Sequence, residues 1–264
     1  MLVDLHNHSI CSHDGFTSEA EMIEACLVRG INAIAVTEHD KACALSRNNF
    51  ADHGIELITG CEYTTDEGAH IIGLFISEGL PALSSRALII SHIKAQGGLM
   101  VMPHPWKTNS GYMAIHGEDE FLKDFDMIEL LNGGWNSQNH MAEIINLAEM
   151  YEMLMVSSSD SHRGCQVGLC ATKINTGVPF EVGTAKKILT AAVQENVDLQ
   201  IDEKVLAVKG RKPTRIQLNG YYQQLLPLIP ERIKRVLKVL QYKYSNDSTA
   251  RPSSLITFTW KKND

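Results

Sequence analysis

Short apolar runs alternate with stretches of helical periodicity along the first 200 residues of this 264-residue chain. Such alternation is typical of strands that lie parallel in one sheet and are joined by crossover helices. The chain is long enough for one large single-core domain, and an α/β barrel is common at this size. The runs that we predict as strands cover residues 2–5, 31–36, 55–59, 69–76, 99–102, 127–131 and 153–156.

Five segments are predicted to be helical. The first begins at a capping box, Ser18-Glu19-Ala20-Glu21, and ends at Gly30, because glycine readily adopts the left-handed conformation that closes a helix. The remaining helices are predicted over residues 42–52, 85–96, 137–151 and 182–195.

The composition favours a globular protein of a reducing compartment. No apolar run approaches the roughly 18 residues that a membrane span needs, and residues 1–6 do not have the pattern of a signal peptide. The six cysteines are scattered without a Cys-x-x-Cys pair, which is typical of reduced thiols. We therefore expect a cytoplasmic protein, and the sequence leaves its oligomeric state open.

The net charge of -7 conceals a division of the chain. After Glu203 there are 13 of the 24 basic residues and only 3 of the 31 acidic ones. We predict a barrel domain over residues 1–203 and a basic, helical extension over 204–264, with a linker at 209–213 and an amphipathic helix at 231–244. The extension is expected to pack on the acidic barrel, or else to bind nucleic acid or an anionic membrane.

Histidines and carboxylates follow five of the predicted strands. Because the carboxyl ends of parallel strands converge at one face of a barrel, residues far apart in sequence are expected to meet there. In the His-x-His pair after the first strand, both imidazoles lie on the same side of an extended chain. The residues concerned are His6, His8, His39, Glu62, His104, Asp160 and His162.

This mixture of imidazole and carboxylate ligands suits zinc, manganese or iron better than calcium. Two such ions bridged by a carboxylate generate a hydroxide near neutral pH and stabilise the attacking and leaving oxygens of an in-line displacement. The pattern therefore favours phosphoryl transfer to water.

The order of these motifs resembles that of the PHP (polymerase and histidinol phosphatase) family over about residues 1 to 200. The resemblance implies a distorted TIM-like barrel of seven βα units that binds up to three metals. It implies His6, His8, Glu62 and Asp160 as ligands of the first metal. Glu62, with His70 and His104, is implied for the second, and Asp14, His39 and His162 for the third. The matching motifs are Asp4-Leu5-His6-Asn7-His8-Ser9, Asp14-Gly15, Thr37-Glu38-His39-Asp40, Gly60-Cys61-Glu62, Pro103-His104-Pro105 and Ser159-Asp160-Ser161-His162.

Two positions depart from the family pattern. One additional residue precedes Asp14-Gly15, so His13 competes with Asp14 as a ligand. His70 lies within a predicted strand rather than at its end, where a buried structural histidine is the alternative.

Other polar residues are candidates for substrate binding and proton transfer. Arg163, Lys107 and Asn132 are predicted to contact a substrate phosphate or to orient a ligand. Asp160 is predicted to accept a proton, and His39, His162 or a metal-bound water to protonate the leaving alcohol. The indoles of Trp106 and Trp135 either stack on a ring of the substrate or serve only as packing.

The leading hypothesis is a phosphoesterase with two or three divalent ions, acting on a nucleotide, a short oligonucleotide or a histidinol-phosphate-like ester. Two alternatives remain at this point. One is a regulatory or binding module without turnover, and the other is a metal-dependent hydrolase of a non-phosphate bond.

Overall fold

A computed structural model describes residues 1–135, 137–174, 179–194, 198–200 and 256–261 of the protein. The chain divides into one compact unit, residues 1–205 with 255–264, and a second unit of residues 206–254. The second unit lies outside the described residues, and so do the predicted basic linker and amphipathic helix. Within the described part of the chain, no helix is long and apolar enough to cross a membrane.

The described strands form one sheet. Their order in the sheet is β7-β6-β5-β4-β3-β2-β1-β8-β10-β9. The strands are β1 (Leu2–Asp4), β2 (Ala33–His39), β3 (Glu56–Thr64), β4 (His70–Leu74), β5 (Leu99–Met102), β6 (Met127–Asn132), β7 (Leu154–Ser158), β8 (Cys170–Lys173), β9 (Asp198–Gln200) and β10 (Ile256–Lys261).

Helices connect most of these strands. The first, α1, begins at the predicted capping box and ends at Gly30, which has a left-handed backbone with φ of 68°. Its buried face carries Met22, Ile23 and Cys26, as the helical spacing requires. The helices are α1 (Glu19–Arg29), α2 (Arg47–Ala51), α3 (Arg86–Ala95), α4 (Tyr112–Ile115), α5 (Met141–Met150) and α6 (Ala185–Gln194), with 3₁₀ turns at Leu122–Asp124 and Ser137–His140.

Six strands of the barrel, β1 to β3 and β5 to β7, run in one direction. β1, β2 and β3 are parallel neighbours, and so are β5, β6 and β7. β4 runs antiparallel to both β3 and β5, so these two groups share their direction. The carboxyl ends of the six strands therefore lie at one rim.

Side-chain hydroxyls join β7 to β8 and bring the sheet nearly to closure. The Thr172 hydroxyl accepts from Ser157 N at 2.7 Å and donates to Ser157 O at 3.0 Å. Two residues further along the chain, the Ser159 hydroxyl accepts from Cys170 N and donates to Cys170 O. These bonds pair the backbone N–H and C=O groups of Ser157 and Cys170, which would pair with each other's strand in a regular sheet. The predicted TIM-like α/β barrel is thus confirmed.

Several details differ from the sequence expectation. β4 is antiparallel, and β8 completes the barrel although no strand was predicted there. The helix predicted over 42–52 begins only at Arg47, because Ser46 accepts from Asn49 N and caps it. Within the predicted extension, Ile256–Lys261 forms a strand paired with β8. The boundary predicted at residue 203 stays a prediction.

Candidate metal centre

The structure brings all nine predicted ligands together at the carboxyl rim. Most of them are buried, although buried charged groups are costly unless they are paired or bind a metal. Their donor atoms fall into overlapping groups in which every atom lies within 4.8 Å of the others. The groups are His6/His8/Glu62, His6/His104/Asp160, His39/Glu62/His70 and His8/Asp14/His39/His162.

Donor atoms of four predicted ligands lie close to one another around His6. His6 Nε2 lies 3.2 Å from His8 Nε2, 3.2 Å from Glu62 Oε2 and 3.4 Å from Asp160 Oδ1. His8 Nε2 lies 3.2 Å from the same Glu62 oxygen and 3.6 Å from the same Asp160 oxygen. Zinc binds nitrogen and oxygen ligands at about 2.0–2.2 Å, so two neighbouring ligands of one ion lie roughly 3.3–3.6 Å apart. The separations from His6 Nε2 and His8 Nε2 are of this size. These residues therefore fit a metal ion.

Glu62 connects this group to a second one through its other oxygen. Glu62 Oε1 lies 2.6 Å from His70 Nδ1 and 3.1 Å from His104 Nε2. His70 begins β4, and because β4 is antiparallel, its first residue lies at the rim where the parallel strands end. The Glu62 carboxylate thus faces a different set of imidazoles with each oxygen, as a bridging ligand does.

Asp14 forms the third group. Asp14 Oδ2 lies 3.0 Å from His162 Nε2 and 3.4 Å from His39 Nε2. His162 Nδ1 lies 3.0 Å from the backbone oxygen of Asp160, which orients the ring. His13 is exposed, with its ring centroid 5.0 Å from that of His39, and it belongs to none of the donor groups. The geometry therefore favours Asp14 over His13.

The pKa shifts show that these groups are electrostatically coupled. Burial alone would lower the pKa of His6, but the surrounding carboxylates, Asp160 first, raise it well above its ordinary value. Burial would raise the pKa of Glu62, but the facing imidazoles, His70 first, hold it well below its ordinary value. The cluster therefore favours cationic partners for its carboxylates.

Glu129 lies behind the centre, and the sequence analysis did not identify it. This buried β6 carboxylate places Oε1 3.0 Å from His6 Nδ1 and accepts from His104 N with Oε2 at 2.8 Å. Such a carboxylate fixes the tautomer of a ligating histidine, so that the other ring nitrogen faces the metal. A glutamate inside the apolar run Met127-Ile128-Glu129-Leu130 was the available signal.

Backbone geometry at two of the predicted ligands is unusual. His104 and Asp160 have φ values of 31° and 48°, in the region that favours glycine. Such conformations cost about 1–3 kcal/mol each and cluster at functional sites.

Beneath Asp160, the buried Asp4 carboxylate accepts from Ser159 N and Gly168 N, both at 2.9 Å, and burial raises the pKa of Asp4 to about 6. These bonds hold the loop after β7.

The predicted substrate-binding residues take different positions. Lys107 Nζ lies 3.5 Å from Asp160 Oδ2, so its charge reaches the centre. Arg163 directly follows His162 and is half-buried. The Asn132 amide donates to Glu129 Oε2 at 2.7 Å, and its oxygen accepts from Gly134 N at 2.8 Å. This amide is therefore engaged in supporting Glu129.

We expect Asp14→Ala to lose about one metal ion per chain and to lower turnover at least about tenfold, whereas His13→Ala retains both. The reason is that Asp14 faces two imidazoles, whereas His13 is exposed. Elemental analysis and turnover of the two variants, measured side by side, test this. Metal loss in His13→Ala but not in Asp14→Ala would assign the ligand to His13.

For Glu129→Gln we expect metal affinity to fall about 10- to 100-fold, because the amide no longer fixes the His6 tautomer. Competition with a chelator of known affinity measures the change. Glu143→Gln, on α5, is the matched control. Unchanged affinity in Glu129→Gln would limit the role of this carboxylate to packing.

The fold and the cluster together define a class of protein, a TIM-like barrel with a dense histidine–carboxylate centre at its carboxyl rim. The chain belongs to the PHP domain family, whose profile matches residues 4–245. The resemblance detected in the sequence is thereby confirmed.

Individual relatives match smaller parts of the chain. An uncharacterized protein of Methanocaldococcus jannaschii is 31% identical over 172 residues, which is 64% of this chain and 68% of that protein. A 5'-3' exoribonuclease of Haemophilus influenzae is 36% identical over 87 residues, 31% of each chain. A two-domain Bacteroides vulgatus structure containing a predicted PHP-like metal-dependent phosphoesterase has a TM-score of 0.53 at 24% identity. That match covers 63% of this chain and 53% of the other, so this chain spans about half of that structure.

Proposed function

We propose that the protein is a metal-dependent phosphoesterase that hydrolyses a nucleotide, a short oligonucleotide or a histidinol-phosphate-like ester. The observation that carries this proposal is the close approach of donor atoms from His6, His8, Glu62 and Asp160, with two further donor groups beside it. Membership of the PHP family and similarity to an exoribonuclease support a phosphate ester as the substrate.

The nine residues would hold two or three zinc, manganese or iron ions. His6, His8, Glu62 and Asp160 would bind the first. When bound, such ions supply a hydroxide nucleophile near neutral pH and neutralise charge on the phosphate oxygens. The two remaining sets are Glu62, His70 and His104, and Asp14, His39 and His162.

The side chains of the protein would position the ester and move its protons. Lys107 Nζ binds a phosphate oxygen beside Asp160, and Arg163 adds a second cation. Asp160 accepts a proton as the nucleophile forms. His39 and His162 retain 12% and 30% side-chain exposure, so either ring can reach the leaving alcohol and protonate it.

Metal analysis of the purified protein, combined with a hydrolysis panel, tests the proposal. We expect two or three ions per chain and release of phosphate from monoesters, or cleavage of diesters, but not of amides. Fewer than one ion per chain after reconstitution would contradict the metal centre. Metal-loaded protein that cleaves only amides would contradict the phosphoesterase.

The cysteines support a reducing compartment such as the cytoplasm. All six are free thiols. Burial raises the pKa of Cys26 and Cys61, which keeps them protonated and unreactive. Structural thiols of this kind are typical of cytosolic proteins.

A further inference from the structure

An aromatic stack lies at the edge of the candidate metal centre. The His140 ring is nearly parallel to the indole of Trp106, with centroids 5.6 Å apart and planes inclined by 6°. It is also nearly parallel to the indole of Trp135, at 5.9 Å and 15°. These separations are those of offset aromatic stacks. Each indole therefore already stacks on a flat heterocycle, the imidazole of His140.

Both indoles extend from backbone that contacts the centre. Trp106 precedes Lys107, whose Nζ lies 3.5 Å from Asp160 Oδ2. Trp135 follows Gly134, which packs so closely on the same carboxylate that a Cβ there would lie 2.6 Å from Oδ2. The two indoles therefore belong to the same chain segments that contact Asp160.

The indoles and the imidazole are held by different contacts. Trp106 and Trp135 are partly buried and pack against the main hydrophobic core. His140 stands at the N-terminus of α5, where its side chain makes no capping hydrogen bond to the helix. Displacement of the imidazole therefore breaks no side-chain capping bond of α5.

We propose that Trp106 and Trp135 form the binding site for the nucleobase of the substrate, and that the His140 ring occupies this site in the free protein. The inference rests on the proposed phosphoesterase function, within which it selects base-bearing substrates. A nucleobase offers the same flat, aromatic face as the imidazole. In such a substrate the ribose connects the base on the indoles to the phosphate at Lys107 and Asp160.

Binding measurements with two non-hydrolysable probes test the site. The probes are the methylene phosphonate analogues of adenosine 5′-monophosphate and of ribose 5-phosphate, titrated calorimetrically into the metal-loaded protein. We expect the adenosine analogue to bind at least about fivefold more tightly, because stacking of one base on aromatic side chains contributes about 5- to 100-fold in affinity. Equal affinity of the two probes would overturn the proposal.

Variants separate stacking from simple packing. Trp106→Ala and Trp135→Ala should each weaken the adenosine analogue about 5- to 100-fold and leave the ribose analogue within about twofold. Trp106→Phe and Trp135→Phe should retain most of the affinity, which keeps the test valid if an alanine variant fails to fold. Equal weakening of both probes would overturn the base site.

His140→Ala tests the displacement directly. It should tighten the binding of the adenosine analogue at least about twofold, because it removes a competing ring. Weaker binding in this variant would overturn the displacement. Tyr151→Ala, a partly buried aromatic on the same core at the other end of α5, is the control and should leave both affinities unchanged.

Failure of this inference differs from failure of the proposed function. If all phosphate esters are hydrolysed and the two probes bind alike, the base site is wrong and the phosphoesterase stands. If no ester is hydrolysed and the probes and variants behave as expected, the base site stands without the reaction. Rates of hydrolysis of the dinucleotide pApA and of adenosine 5′-monophosphate then show whether the substrate is the end of a nucleic-acid strand or a free nucleotide.

Discussion

We expect Glu62→Gln to lower turnover at least about 100-fold, or roughly 2.7 kcal/mol in transition-state stabilisation, while the protein remains folded. Glu62 faces His6 and His8 with one oxygen and His70 and His104 with the other. A neutral amide of the same shape cannot balance two cations, and its NH₂ group has no lone pair to offer one of them. Steady-state turnover and metal content measure the loss.

The matched control for this change is Glu24→Gln, which makes the same substitution at an exposed position of α1. It should retain wild-type activity and metal content. If Glu62→Gln keeps more than about a tenth of wild-type turnover, the loss is below about 1.4 kcal/mol, which is too small for removal of a metal bridge. The bridging role would then be wrong.

Gly15→Ala should also reduce turnover at least about 100-fold and lower the melting temperature. A Cβ at Gly15 would lie 1.9 Å from Ser9 O and 3.2 Å from the carbonyl carbon of His8. Ser9 has little freedom to retreat, because its backbone N–H and its hydroxyl both donate to the buried Glu38 carboxylate. The substitution therefore displaces Asp14 on one side and the His8 segment on the other.

Activity, elemental analysis and thermal unfolding of the variant check this expectation. Gly164→Ala is the matched control, since its Cβ would come no closer than 3.3 Å to the Glu21 side chain and its backbone carries no positive φ. Wild-type activity in Gly15→Ala would show that the loop carrying Asp14 adjusts without loss, and that the close approach seen here is not required.

Sequence pattern was sufficient to locate most of the centre. Buried strands read as continuous apolar runs, so a polar residue directly after such a run marks a strand end. This reasoning placed His6, Glu62, His104 and Asp160 at one rim, where the structure has them. Their roles as metal ligands remain predictions until ions are measured.

The direction of β4 could not be read from its own residues, because a continuous apolar run has the same appearance in either direction. That ambiguity left His70 with a buried structural role as the alternative. The length of the connection between β3 and β4 is more informative, because only five residues separate Thr64 from His70. A parallel crossover needs a dozen or more residues, so such a short connection indicates an antiparallel pair.

Two further features depend on contacts that pattern does not encode. β8 is four residues long and follows a series of turns, so its apolar signal is too short to indicate a strand. Glu129 acquires its role only through the approach of His6, which lies 123 residues away in sequence. Asn132 was predicted to orient substrate or a ligand, and local sequence could not reveal that its amide contacts Glu129 and Gly134.

The pairing of β1 with β8 has a consequence for the order of folding. Val3 pairs with Ala33 on one side and with Thr172 on the other. During synthesis on the ribosome, β1 therefore gains its first neighbour early, whereas its second edge stays open until residue 173 has emerged. Closure of such a large loop is entropically costly and slow. The barrel and the centre that joins His6 to Asp160 are thus completed in the same late event, and a chain stalled before β8 exposes an unpaired strand edge to aggregation.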